Sequence, residues 1–110
     1  MAKVMDVLRA NCDADTVFCN GAGNFATWLH RFWPYRKFAS QLAPTSGSMG
    51  YGVPAAVAAK RIAPERTVIA FAGDGDFMMT GQEFATAAQY DLLIVIVLVD
   101  NGMYGTIRMH

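Results

Sequence analysis

The stretch from Thr67 to Asn101, TVIAFAGDGDFMMTGQEFATAAQYDLLIVIVLVDN, decides the fold. Its opening apolar run over residues 67–72 predicts a strand, and the GDGD that follows predicts the turn that ends it. TGQE at residues 80–83 has the spacing of a capping box and predicts a helix that runs to about residue 90. Residues 92–99 are all Leu, Ile or Val, which is typical of an inner strand of a parallel sheet covered by helices on both faces.

The chain before this stretch also alternates between helix-like and strand-like segments. Hydrophobic periodicity predicts helices over residues 2–11, 24–32 and 53–62, and strands over residues 16–19 and 38–42. The chain has 110 residues, of which 54% are apolar, enough for one domain with a core of its own. The sequence therefore predicts an α/β fold with three α/β/α layers and a mostly parallel sheet.

Composition excludes several classes of protein. Nine Lys and Arg residues balance nine Asp and Glu residues, so no basic excess exists to drive binding to nucleic acid or to an anionic membrane. The longest apolar run, the eight residues 92–99, is far shorter than the roughly 20 needed to cross a bilayer. No export signal is visible, and Cys12 and Cys19 are typical of buried thiols in a reducing compartment, so a cytoplasmic location is expected.

Polar side chains follow the two predicted strands of the opening stretch. The two strands flank a crossover helix, so they should lie parallel, and as neighbours they would end about 4.8 Å apart. Asp74 follows the first strand and Asn101 the second, with 25 residues between Gly75 and Asn101. One carboxylate and one amide oxygen make an incomplete cage that suits Mg²⁺ when a substrate's phosphate oxygens complete it. The sequence therefore predicts Mg²⁺ and a diphosphate at this edge of the sheet.

Several motifs coincide in order and spacing with those of a known family. GDG at residues 73–75, followed after 25 residues by Asn101, resembles the signature of thiamine diphosphate-dependent enzymes, in their diphosphate-binding domain. GSMGYGVP at residues 47–54 and NGMYGTIR at residues 101–108, together with TGQE, resemble the acetolactate synthase-like branch. The resemblance covers nearly the whole chain.

The resemblance implies roles for individual residues. Asp74, the Asn101 side chain and the Met103 carbonyl would hold Mg²⁺. The Gly47 carbonyl would accept a hydrogen bond from the cofactor's amino group, and the Met49 side chain would bend the cofactor so that this group approaches the thiazolium ring. These two are the implied catalytic residues. The residues implied to bind the cofactor are Gly23, Asn24, Gly47, Ser48, Met49, Gly73, Asp74, Gly75, Asp76, Asn101, Met103 and Tyr104.

Two residues depart from the family pattern. Asp76 stands where the family usually has Ser or Ala, which is harmless only if its carboxylate points away from the diphosphate. Phe25 stands where acetolactate synthases often have His.

Family members are several times longer than this chain. The chain is therefore expected to be a partial domain that lacks the pyrimidine-binding and middle domains and does not turn over alone. Its parent would decarboxylate or ligate a 2-oxo acid, and any FAD site would lie in those other domains. The apolar strand at residues 92–99 could be left with an unpaired edge, so a homo-oligomer is expected.

Two other functions compete with this interpretation. GAGNFA at residues 21–26 fits the G-x-G-x-x-A fingerprint of an NAD-type dinucleotide-binding module, but Ser40, Gln41 and Leu42 stand where an acidic residue is expected. The chain could also be a non-catalytic interaction fragment of the same fold. Mg²⁺-dependent binding of thiamine diphosphate would distinguish the three.

Overall fold

Helices and strands alternate along the chain, and the computed structural model describes all 110 residues. The strands are β1 (Val17–Asn20), β2 (Gln41–Leu42), β3 (Val68–Gly73) and β4 (Val95–Val99). The helices are α1 (Ala2–Asn11), α2 (Ala26–Phe32), α3 (Gly52–Ile62), α4 (Asp74–Thr80), α5 (Glu83–Gln89) and α6 (Gly105–Arg108). No helix combines the length and the hydrophobicity needed to span a bilayer.

The four strands form one parallel sheet in the order β2-β1-β3-β4. After β2 the chain returns past β1 to form β3, so the strand order reverses between β1 and β3. All four strands end at the same edge of the sheet, and a reversal of this kind opens a crevice there. The predicted neighbours β3 and β4 do pair in parallel, with Gly73 opposite Val99 at their ends.

Helices cover both faces of the sheet, which confirms the predicted three layers. Side chains alternate along each strand, so Phe18 and Phe71 pack with α1 and α2 on one face. Cys19 and Ala70 pack against Val53 of α3 on the other face. Every residue of β3 is buried because this strand has a neighbour on each side and helices above and below.

The predicted capping box is wrong, whereas the GDGD segment does end the strand, although it forms the first turn of a helix. Strand β3 passes directly into helix α4, with Gly73 as the last extended residue. Thr80 ends α4, and its hydroxyl donates a hydrogen bond to the Gly50 carbonyl instead of capping α5. At the start of α5, Glu83 accepts a hydrogen bond from Thr86 one turn later. The helix predicted to run from about residue 81 to residue 90 is present as α5, whereas the short helix α4 that precedes it was not predicted.

The prediction of an inner strand at residues 92–99 is also wrong for this chain. Strand β4 begins only at Val95 and lies at the edge of the sheet, with Val95 53% and Leu98 50% exposed. The strand predicted over residues 38–42 shrinks to the two residues of β2, and Phe38 is 99% exposed.

Candidate functional site

A cavity of about 280 Å³ lies at the carboxyl ends of the strands. The segments that follow β1, β2, β3 and β4 all contribute to its walls, so it occupies the place where a parallel α/β sheet binds ligands. The lining residues are Ala22, Gly23, Asn24, Phe25, Gly47, Met49, Gly73, Asp74, Gly75, Asp76, Val99, Asn101, Met103, Tyr104, Gly105, Thr106 and Ile107.

Asp74 and Asn101 reach this cavity because their strands are neighbours. Gly73 and Val99 face each other across β3 and β4, and the two polar residues follow within two positions of that pair. Both line the cavity. Neither of the two ion pairs in the chain involves the Asp74 carboxylate.

The turn after β4 is held by its own side chains. Asn101 Oδ1 accepts a hydrogen bond from the Met103 N–H at 3.1 Å, and Asp100 Oδ1 accepts one from the Gly102 N–H at 2.8 Å. Gly102 has a φ of 63°, a left-handed conformation that glycine adopts without strain. These bonds bring the Asn101 oxygen and the Met103 backbone into one compact turn at the cavity.

Two glycines let aromatic rings approach the end of β3. A Cβ atom added to Gly75 would lie 2.4 Å from the Tyr104 ring, and one added to Gly73 would lie 3.0 Å from the Phe25 ring. Larger residues at either position would displace an aromatic wall of the cavity. The N–H groups of Gly75 and Asp76 lie in the first turn of α4, where the helix itself offers them no acceptor.

The loop after β1 and helix α6 meet on another side of the cavity. Thr106 Oγ1 donates a hydrogen bond to Asn24 Oδ1 at 3.2 Å, and Asn24 Nδ2 lies 3.5 Å from the sulfur of Met109. A Cβ added to Gly105 would lie 3.3 Å from the same Asn24 nitrogen. Asn24 therefore links two segments that are more than 80 residues apart in sequence.

The loop after β2 contributes Gly47 and Met49. Gly47 and Gly50 have φ values of 69° and 83°, so the chain makes two left-handed turns around Met49. Ser48 does not line the cavity; it is exposed, and its hydroxyl shares a 2.7 Å hydrogen bond with Ser46.

Asp76 is buried, with only 2% of its surface exposed. Its Oδ1 atom accepts a hydrogen bond from the Gly50 N–H, and its carboxyl group lies against Gly21, where no Cβ would fit. Burial raises the pKa of this carboxyl, and the backbone N–H groups of Gly50 and Gly73 offset part of that rise. The carboxylate is therefore engaged with the protein itself, through Gly50 and against Gly21.

The structure thus brings together all of the predicted cofactor-binding residues except Ser48. Six lining residues were not predicted from the sequence: Ala22, Phe25, Val99, Gly105, Thr106 and Ile107. Of these, Ala22 and Phe25 lie inside the GAGNFA motif, which offered a signal that was assigned to a different ligand. Gly105, Thr106 and Ile107 of α6 lie inside the NGMYGTIR motif, of which only Asn101, Met103 and Tyr104 were assigned to the site.

Comparison with known proteins agrees with this geometry. Residues 21–110 match the family described as thiamine pyrophosphate enzyme, C-terminal TPP binding domain. The chain belongs to this family. Acetolactate synthase large subunits are among its relatives: that of Corynebacterium glutamicum is 40% identical over 106 residues, and that of Lactococcus lactis is 38% identical over 96 residues. These alignments cover 96% and 86% of this chain.

Solved structures of thiamine diphosphate-dependent enzymes share the fold. The 4-hydroxybenzoylformate decarboxylase of Rhodococcus jostii RHA1 is 31% identical, with a TM-score of 0.90 over 98% of this chain. A putative thiamin diphosphate-dependent enzyme from Mycobacterium smegmatis is 36% identical, with a TM-score of 0.81 over 94% of this chain.

This TPP-binding domain spans only a small part of the proteins it matches. The alignments cover 17% of the Corynebacterium relative, 16% of the Lactococcus relative and 20% of the Rhodococcus chain. The family assignment does not favour the NAD-type alternative. The GAGNFA loop lines the same cavity as Asp74 and Asn101.

Proposed function

We propose that this chain holds Mg²⁺ and the diphosphate of thiamine diphosphate within an acetolactate synthase-like enzyme that decarboxylates or ligates 2-oxo acids. The observation that carries the proposal is the parallel pairing of β3 and β4, with Gly73 opposite Val99. This register brings Asp74 and Asn101 to one cavity although 26 residues separate them in sequence.

The donor atoms around the cavity fit a magnesium ion. The proposed ligands are the Asp74 carboxylate, the Asn101 amide oxygen and the Met103 backbone carbonyl, all of which are hard oxygen donors that Mg²⁺ prefers. Each oxygen that already accepts a hydrogen bond, from Met103 N–H or Gly105 N–H, keeps a second lone pair for the ion. Only one of the three donors is charged, so phosphate oxygens and water would complete the coordination.

Backbone groups would hold the diphosphate beside that ion. Gly75 and Asp76 offer N–H groups from the first turn of α4, and Tyr104 offers one from the turn before α6. Gly23 and Asn24 would contact the diphosphate from the loop after β1.

The other end of the cofactor would lie against the loop after β2. There the Gly47 carbonyl would accept a hydrogen bond from the amino group, and Met49 would support the bent conformation. When bound, thiamine diphosphate supplies an electron sink for loss of carbon dioxide from a 2-oxo acid. Gly73 belongs to the same site because it lets the Phe25 ring close the cavity.

The substrate class follows from the relatives. The Rhodococcus neighbour is a decarboxylase of 4-hydroxybenzoylformate, which is a 2-oxo acid, and the curated relatives are acetolactate synthases. We infer that the whole protein is a cytoplasmic homo-oligomer. We also infer that the 110 residues alone bind the cofactor but do not convert a substrate.

Isothermal titration calorimetry of the chain with thiamine diphosphate, with and without Mg²⁺, tests the proposal. Asp74→Asn keeps the size of the side chain but removes its charge, so we expect Mg²⁺-dependent binding to weaken at least tenfold. Asp91→Asn is the matched control, because Asp91 is exposed and has a φ of 53°, which asparagine tolerates.

Unchanged binding in Asp74→Asn would refute the metal assignment. Competition between NAD and thiamine diphosphate for the site would instead support the dinucleotide-binding alternative. Absence of cofactor binding by a folded wild-type chain would favour the non-catalytic interaction fragment.

A further inference from the structure

The Gly50 peptide is held from both sides by helix α4. Asp76 Oδ1 accepts a hydrogen bond from the Gly50 N–H at 2.5 Å, and Thr80 Oγ1 donates one to the Gly50 carbonyl at 2.7 Å. Asp76 and Thr80 are four residues apart, so both side chains lie on the same face of α4. We call this pair of bonds the Gly50 clamp.

The space around the clamp is tightly filled. A Cβ added to Gly50 would lie 3.1 Å from the Thr80 methyl group, and Gly50 has a φ of 83° that favours glycine. A Cβ added to Gly21 would lie 1.9 Å from Asp76 Oδ1. A Cβ added to Gly52 would lie 3.0 Å from the backbone nitrogen of Gly21. The end of β1, the loop after β2, the start of α3 and α4 therefore meet at one point through three glycines.

We propose that Asp76 and Thr80 are positioning residues that fix Met49 relative to the diphosphate-binding end of α4. Met49 precedes the clamped glycine and lines the cavity, while Asp74 and Gly75 form the first turn of the helix that carries the clamp. One rigid helix thus sets the distance between the two ends of the site. The expected effect on cofactor binding rests on the proposed function, whereas the two hydrogen bonds of the clamp form without any cofactor.

This role predicts a selective loss of affinity. Pyrophosphate with Mg²⁺ would occupy only the diphosphate end, whereas thiamine diphosphate would also contact the loop that bears Met49. Loss of the clamp should therefore weaken thiamine diphosphate binding, because the loop must be ordered on binding, and leave pyrophosphate binding nearly unchanged. General damage to the fold would weaken both ligands together.

The experiment compares Thr80→Val and Thr80→Ser by calorimetry with each ligand in the presence of Mg²⁺. We expect Thr80→Val to weaken thiamine diphosphate about fivefold to tenfold, which is within the range for losing one hydrogen bond, and to change pyrophosphate by less than about twofold. Thr80→Ser keeps the hydroxyl and should restore binding. Thr86→Val, which removes a hydroxyl bonded only to Glu83 on α5, is the matched control.

Amide hydrogen exchange of Gly50, measured by NMR without ligand, reports the clamp independently of the cofactor. We expect about tenfold faster exchange in Asp76→Ala and Thr80→Val than in the wild type. Equal weakening of both ligands, or no weakening of either, would overturn the positioning role. If the wild-type chain binds neither ligand, the proposed function fails and the positioning role with it, and Gly50 exchange then decides whether the clamp exists.

Discussion

Replacement of Gly21 by alanine tests the packing beneath the site most sharply. Gly21 is buried and does not have a positive φ, so alanine itself is compatible with its backbone. At such a position Gly→Ala normally stabilises a protein by about 0.4–1 kcal/mol, because it reduces the entropy of the unfolded chain. Here the new methyl group would lie 1.9 Å from Asp76 Oδ1, well inside van der Waals contact. The carboxylate must therefore leave its place.

The expected cost follows from what the carboxylate loses. A hydrogen bond to a charged group contributes about 1.5–3 kcal/mol, and the displaced Asp76 would lose the one from Gly50. After subtraction of the backbone gain, Gly21→Ala should lower the free energy of unfolding by about 0.5–2.5 kcal/mol. In an Asp76→Ala background the obstacle is gone, so the same substitution should be neutral or stabilising.

A double-mutant cycle measures this reversal of sign. Urea unfolding of the wild type, both single variants and the double variant, at one protein concentration, gives the coupling energy between the two positions. We expect about 1.5–3 kcal/mol. An equal effect of Gly21→Ala in both backgrounds would show that the buried carboxylate does not fill the space next to Gly21.

Three further predictions follow from which side chains and strand edges are buried and which are exposed. Burial raises the pKa of the Cys19 thiol from 9.0 to about 12, so a thiol reagent at pH 8 should label Cys12 before Cys19. The free energy of unfolding should fall between pH 9 and 12, because in this range the thiol ionises in the unfolded chain but not in the folded one. Phe71→Ala should lower the free energy of unfolding by about 3–5 kcal/mol, because Phe71 is fully buried. Phe38→Ala should change it by less than about 0.5 kcal/mol, because Phe38 is 99% exposed. If denaturant titrations gave the two variants similar losses of stability, the described core would be contradicted. The chain should self-associate through the unpaired edge of β4, and Val95→Lys should reduce this in sedimentation velocity experiments, whereas a wild-type monomer at all concentrations would contradict it.

Much of the fold could be predicted because the chain obeys simple periodicities. The apolar run of β3 and the helical spacing of α1 have direct counterparts in the structure, and the crossover rule made β3 and β4 parallel. The capping-box prediction was wrong because a Thr-x-x-Glu pattern describes only neighbouring residues. The Thr80 hydroxyl instead donates its hydrogen bond to the buried carbonyl of Gly50, 30 residues away. Position in a sheet is likewise not local: the apolar run of β4 suits an inner strand, and only the strand order shows that it lies at an edge.

The candidate site, like the fold, could be predicted from the sequence only in part. Asp74 and Asn101 could be placed together from sequence because each lies within two residues of the end of a strand and the two strands pair. The position of Ser48 could not, since a loop with two left-handed glycines turns its exposed side chain toward Ser46. The surroundings of Asp76 could not be predicted from the sequence either, because they depend on Gly21 and Gly50, which approach Asp76 from two other segments of the chain.

The register of β3 against β4 connects the core with the site. A slip of one residue would turn every side chain of β4 to the opposite face of the sheet, and it would also move Asn101 by about 3.3 Å along the strand relative to Asp74. Phe71 opposes Val97 and both pack toward α1 and α2, whereas Ala70 opposes Ile96 and both pack toward α3. Because both faces are packed, the slip would misplace side chains on each of them. The apolar residues of the two strands therefore fix which polar residues meet at their ends.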